Sequence, residues 1–316
     1  RAINFITKVA PRLASARGYD YLPSSYDSRP IKKTHKNITK SIEKISSDPE
    51  NIATLYYSGG NLIYEKYNYG IDASLPLYGF SMTKTAVALM LLNLQCQGKL
   101  DISKNFGELS SRLNDTVYRN IKIENALLMA SGVISSKTHK EIQKPLWRKF
   151  IRRMVTPIEA INQIGNIATK QGTVFAYAVS DTLALGMLVE DASKEKLSKY
   201  FSETIFKHML PEHVGYWQVA KNGENMGSYG LMLSARDWVR LGIYIIKQIN
   251  SDKCIATHFR TMRSKSIDGQ YGYQIWLNQI DDNRFRLAGS RGQYVGFDIQ
   301  NGDILAVFSG GRNYQA

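Results

Sequence analysis

Ser81 and Lys84 are the residues of this chain whose types and spacing could carry out covalent chemistry. Residues three apart share one face of a helix, so the hydroxyl and the amine come side by side. A serine at a helix start also lies in the positive end of the helix dipole, which favours developing negative charge. The amine can take the serine proton if burial or neighbouring positive charge lowers its pKa toward neutrality. Together they are a nucleophile and its base. The string itself is common: Ser41–Lys44 and Ser193–Lys196 repeat it among charged residues that read as solvated helix faces. Ser81 differs in following Tyr78-Gly79-Phe80 and preceding an apolar run. The competing reading is an ordinary helix N-cap.

Two later stretches could complete the chemistry. In GTVFAYAVSDTLALG, Tyr177 stands at the start of a helical segment, and its phenol could pass the Ser81 proton to a leaving group. Taken by itself, as one of 19 tyrosines, it reads as a packing or surface residue. LAGSRGQYVGFD is a glycine-punctuated strand edge, and a backbone N–H there, with that of Ser81, would form an oxyanion hole. A simple hairpin end is the alternative. The five histidines (His35, His139, His208, His213 and His258) show no metal-ligand spacing, and neither a G-x-S-x-G elbow nor a phosphate-binding glycine loop is present. No metal or cofactor is expected.

The elements that must position these groups follow from pattern. A helix is expected over Asn37–Ile45, then a hairpin of Ile52–Tyr57 and Leu62–Tyr67 around Ser58-Gly59-Gly60-Asn61. Thr83–Gln97 favours helix, with Gly98 as its stop, and is apolar on nearly all sides, as a core helix is. Helical patterns follow at Ile121–Gly132, Ser180–Ala192 and Ser234–Ile249, with strand signals scarce between 100 and 250. Strands return at Tyr271–Asn278, Arg284–Gly289, Gln293–Ile299 and Asp303–Ser309, the last two joined through Asn301-Gly302. This order implies an α+β fold whose antiparallel sheet is built from both chain ends, with a helical region inserted. The expected division is an arm over 1–30, a sheet domain over 31–99 and 251–316, and a helical domain over 100–250.

The chain has 316 residues, enough for a sizeable core, and its 43 % hydrophobic and 22 % charged content is that of a globular protein. Its longest apolar stretch, near Thr85–Leu94, is too short to span a bilayer. The net charge of +14 raises the question of an anionic partner. The basic residues are spread out except in KPLWRKFIRR (Lys144, Arg148, Lys149, Arg152, Arg153), a cluster that could bind an anionic surface. No nucleic-acid module accompanies it. Cys96 and Cys254 do not make a disulfide framework, so cysteine usage leaves the compartment open.

Taken in order, these landmarks resemble the β-lactamase-related serine hydrolases, a family of class C β-lactamases, D,D-peptidases, esterases and 6-aminohexanoate-oligomer hydrolases. YGFSMTKTAVALMLLNLQCQGKLDIS, IKIENALLMASGV, VFAYAVSDTLALGMLVE, YGLMLSARDWVRLG, YGYQIWLN and GSRGQYVGFD appear in family order between about Asn37 and Ser309. The resemblance implies a penicilloyl-serine-transferase fold with the site between sheet and helical region. It implies Ser81 as acylated nucleophile, Lys84 as proton acceptor, Tyr177 in the relay, and the N–H groups of Ser81 and Gln293 as oxyanion donors. Val179 stands where β-lactamases carry an asparagine, and Ser290-Arg291-Gly292 replaces the Lys-Thr-Gly strand. With Asp181 these residues are candidates for substrate contacts, Arg291 for a substrate carboxylate. Asp181 after Tyr177 and Gly292-Gln293 after the glycine-rich turn look more like the esterase and aminohexanoate-hydrolase branch. The expected activity is hydrolysis of a small-molecule or peptide ester or amide. A D,D-peptidase or β-lactamase, or an inactive binding or sensor protein, are the alternatives. Relatives are commonly exported, which favours a periplasmic or extracellular location.

Overall fold

A computed structural model of the chain describes residues 18–24, 29–34, 39–133, 154–164 and 167–311. Most of the N-terminal arm and the whole Lys144–Arg153 cluster lie outside the described residues. Among the described residues, eleven strands form two sheets. The larger has seven strands in the order β3-β2-β11-β10-β9-β8-β7. These are β2 (Asn51–Ser58), β3 (Asn61–Tyr67), β7 (Tyr271–Gly272), β8 (Ile275–Leu277), β9 (Arg284–Gly289), β10 (Gln293–Asp298) and β11 (Ile304–Ser309). Every neighbouring pair is antiparallel, and β11 returns from the end of the described chain to lie beside β2. The sheet is therefore assembled from both ends, as the sequence pattern implies. Gly59 and Gly60, at φ +56° and +80°, supply the left-handed turn that joins β2 to β3.

Six helices matter here: α1 (Lys40–Ser46), α2 (Thr83–Cys96), α3 (Ile123–Leu127), α4 (Val179–Ser193), α5 (Ala235–Ser251) and α6 (Lys253–Lys265). Nearly every residue of α2 from Thr83 to Leu94 is buried, so the continuous apolar run encodes a core helix. It packs against α4 on one side and α6 on another. Helix α5, amphipathic and capped by Ser234, lies across β2, β10 and β11 although its sequence falls within the 100–250 stretch. Gly242 lets it approach closely, since a Cβ there would stand 3.1 Å from Ile304.

Three sequence expectations change. The stretch from 100 to 250 holds β5 (Gly215–Gln218) and β6 (Leu231–Leu233), which with β1 (Tyr19–Leu22) and β4 (Leu77–Tyr78) form a second sheet, ordered β1-β5-β6-β4. GYWQ and LML are buried throughout, so they show none of the alternation that marks a half-exposed strand. Helix is confined to Ile123–Leu127 within Ile121–Gly132, because Met129 turns left-handed at φ +53° and stops it. YGYQIWLN is a broken hairpin, with Tyr273 and Gln274 at φ +42° and +65°. The kink aims the Gln274 amide at the Ala126 and Leu127 carbonyls, while its oxygen accepts from the Thr182 hydroxyl at 2.6 Å. A regular strand is sacrificed to clamp α3 and α4 together.

The two cysteines are joined. The Cys96–Cys254 disulfide ties the end of α2 to the start of α6 across 158 residues. Sequence could not show this pairing, since the helices meet only in the fold. His258, one turn beyond Cys254, lies beside the sulfurs.

Candidate active site

The turn that carries Ser81 is under local constraint. Gly79 sits against the Trp238 ring, and a Cβ there would fall 2.2 Å from it. Phe80 adopts φ +47°, a left-handed conformation that a bulky residue rarely takes. From there Phe80–Met82 make one 3-10 turn that runs directly into α2. The Ser81 side chain caps nothing, so the N-cap alternative does not describe it. The Thr83 hydroxyl, two residues on, is occupied in accepting the Leu231 N–H at 3.1 Å.

Lys84 lies fully buried on the same face, its Nζ 3.0 Å from Ser81 Oγ. It donates its other short bond, of 2.8 Å, to the Ser228 carbonyl. Among the described residues no carboxylate pairs with it. Burial thus disfavours the ammonium without compensation and pushes its pKa down to about 7. A neutral amine can donate to Ser228 and offer its lone pair to the Ser81 O–H. Ser228 is a participant that the sequence reading missed. Its backbone carbonyl does the work, and only its place in the GSYG turn before β6 hints at it.

Tyr177 closes the group. Its hydroxyl is hydrogen-bonded to the Ser81 side chain, and its ring lies 5.2 Å from Lys84 Nζ. Burial raises the phenol to about 12, partly offset by the Ser81 bond. It therefore holds its proton at neutral pH. Trp276 stacks on this ring with centroids 6.0 Å apart, and Tyr271 meets it edge-on at 5.8 Å. Both come from the broken YGYQIWLN hairpin, whose aromatic content was the available signal.

The other candidates separate. Asp181 does not line the site. It is fully buried in the first turn of α4, accepting the Tyr118 hydroxyl at 2.6 Å and the Ser131 hydroxyl at 2.7 Å. A side chain so enclosed cannot touch substrate; it pins the N-terminus of α4, just after Tyr177. Burial holds this carboxyl up at about 7. Val179 is half-buried at the start of α4, with no polar group to offer. Ser290 and Arg291 are exposed in the β9–β10 turn, where Arg291 and Gly292 both take positive φ. The Gln293 side chain is committed to this turn, donating to the carbonyls of Ser309 (2.7 Å), Arg291 (3.2 Å) and Ser290 (3.4 Å). The strand that abuts the nucleophile turn most closely is β9. Gly289 lies against Gly79, and a Cβ there would fall 2.2 Å from the Gly79 oxygen. Gln293 stands opposite Gly289 on the next strand.

The fold is shared widely. A protein from Bacillus anthracis described as a 6-aminohexanoate-dimer hydrolase superposes with a TM-score of 0.79 at 17 % identity, covering 94 % of this chain and 86 % of that one. A D-stereospecific amidohydrolase from Streptomyces matches with a TM-score of 0.66 at 14 % identity, covering 86 % and 93 %. A penicillin binding protein from Bacillus halodurans matches with a TM-score of 0.66 at 15 % identity, covering 86 % and 96 %. At such identities the likeness speaks to the fold alone, which is β-lactamase-like. No curated protein matches the chain in sequence. The Beta-lactamase family model, however, matches residues 49–314, a span that holds Ser81, Lys84 and Tyr177 together with both ends of the large sheet. The chain belongs to the β-lactamase family.

Proposed function

We propose that this protein is a serine hydrolase that cleaves an ester or amide through an acyl-enzyme at Ser81. The observation that carries this reading is the fully buried, carboxylate-free Lys84 amine 3.0 Å from the Ser81 hydroxyl, with a pKa near 7. Ser81 Oγ attacks the carbonyl carbon as its proton passes to Lys84. Backbone N–H groups, that of Ser81 and one from the facing strand edge, hold the oxyanion. Tyr177, bonded to Ser81, hands a proton to the leaving alcohol or amine, and the acyl-enzyme forms as that bond breaks. Water then attacks the ester, giving up its proton to the same relay and releasing the acid.

A small-molecule or peptide substrate fits this chemistry, and hydrolase relatives support it in general terms. Val179 in place of a side-chain amide argues against β-lactam turnover as its purpose. The Cys96–Cys254 disulfide supports an exported location, since such bonds persist in oxidising compartments.

The test is a panel of p-nitrophenyl acyl esters, anilides and D-amino-acid peptides, assayed on wild type and Ser81→Ala with intact-mass detection of the acyl adduct. Turnover and an adduct in wild type alone are expected. Full activity in Ser81→Ala would overturn the assignment. Failure of a fluorophosphonate to label Ser81 would instead favour a binding or sensor protein.

A further inference from the structure

The large sheet has a second face. Helices α5 and α6 cover the face bearing Ile304 and Phe285, through the Gly242 contact and the Phe259–Phe285 ring pair. On the opposite face the register sets Trp276, Arg286, Gly296, Leu305 and Tyr56 in one row across five strands. Gly296 has no unusual φ; what it contributes is space. The missing side chain makes room for the Tyr294 ring, and beside it lies a cleft of about 330 Å³ lined by Tyr56, Arg286, Tyr294 and Leu305 among others. A Cβ at Gly296 would stand 2.3 Å from the Tyr294 hydroxyl.

The charges of this cleft are unevenly satisfied. Asp298 accepts the backbone N–H groups of Gln300 and Asn301 and pairs with Arg284, which also pairs with Asp281. Asp303 accepts the Tyr56 hydroxyl at 3.1 Å. Arg286 makes no ion pair among the described residues. Its guanidinium lies over the Trp276 ring at 5.5 Å, and its buried Nε has no hydrogen-bond partner. An arginine fork is shaped for two parallel bonds to a carboxylate, and a buried donor without a partner is costly. The nearby acids are occupied, whereas the cation is not.

We propose that this cleft binds a carboxylate-bearing small molecule, its carboxylate on the Arg286 guanidinium and the Tyr294 hydroxyl, and its body along Leu305 and Tyr56. The site is distinct from Ser81: none of Ser81, Lys84 and Tyr177 lines this cleft. It does not depend on the acyl-enzyme reading. Arg286 was not singled out by sequence, because an arginine in RFRLAG looks like any solvated strand residue. Only the register shows that it faces a glycine and an indole.

The test is calorimetric titration of the Ser81→Ala protein, in which turnover cannot consume the ligand, with benzoate, neutral benzamide and inorganic phosphate. Quenching or enhancement of Trp276 fluorescence gives a second readout. Saturable benzoate binding without benzamide binding is expected. Arg286→Gln should weaken it by about tenfold or more, and Tyr294→Phe by roughly half that factor. Arg260→Gln, an equal loss of charge on exposed α6, should leave it unchanged. Equal benzoate affinity in Arg286→Gln, or no saturable binding by any probe, overturns the site. Phosphate binding as tightly as benzoate overturns its carboxylate selectivity. If Arg286→Gln does not fold, Arg286→Lys and Tyr294→Phe carry the same comparison.

Discussion

Two clusters built around buried basic side chains behave in opposite ways. Around Ser81, the Lys84 amine is buried among hydroxyls, carbonyls and rings, with no carboxylate pairing with it among the described residues. Between β3 and α5, Arg236 bridges Glu65 and Glu212, and Arg240 joins Glu212 as well. Burial acts on both. It lowers Lys84 to about 7. It would raise Glu65, but the bonds from Arg236, Lys33 and Tyr67 outweigh it and hold that carboxyl at about 2. A buried charge with its partners stays charged and joins elements together. A buried amine without them becomes a base.

This contrast can be broken at either end. The largest effect is expected at the site: Ser81→Ala or Lys84→Met should lower kcat/KM on any turned-over ester by on the order of 10³-fold or more. Lys84→Met should nevertheless leave the melting temperature unchanged or raised, because it removes an uncompensated buried amine. Differential scanning calorimetry beside the activity assay reads both quantities. A large loss of stability in that variant would mean that Lys84 is structural. Arg236→Met should do the reverse. Removing the central cation, which leaves Glu65 only Lys33 and Tyr67 and Glu212 only Arg240 and the Ile31 N–H, should cost about 2–4 kcal/mol in denaturant titrations, with kcat of the folded fraction preserved.

The pH profile sharpens the same point. With the Lys84 pKa near 7, kcat/KM should rise with pH through about 7 as the amine loses its proton, and level off above. Stopped assays between pH 5 and 9 resolve this limb; a rate flat across that range would remove Lys84 as the base. The smallest effect concerns Asp181, whose carboxyl is held at about 7 against an ordinary 3.8. Between those values the folded chain keeps a proton that the unfolded chain has released. This contribution to stability is present at low pH and falls away as pH rises toward 7. Asp181→Asn should flatten that slope in urea titrations run at several pH values, while Asp298→Asn should not.

How much of this was legible beforehand varies with the range of the interaction. The hairpin at Gly59-Gly60, the core helix after Ser81 and the final meander follow from local pattern and turn chemistry. The buried strands at Gly215–Gln218 and Leu231–Leu233 carried no periodic signal, and the kink at Tyr273-Gln274 is imposed by clamping partners distant in sequence. Asp181 read as a candidate substrate contact because it follows Tyr177 in the segment that carries the family resemblance. A helix turn later it points inward, to Tyr118 and Ser131.

By itself the sequence determined the strands and core helix of the large sheet's half, the family resemblance and the adjacency of Ser81 and Lys84, because pattern within one element and spacing on one helix are local properties. Tertiary structure alone decided that Lys84 is buried without an acid, that the Ser228 carbonyl holds it, and that Trp276 backs Tyr177. It also decided that Cys96 meets Cys254. Each of these depends on segments brought together from far apart, and the pKa that makes an amine a base is set by everything around it rather than by its own residue type.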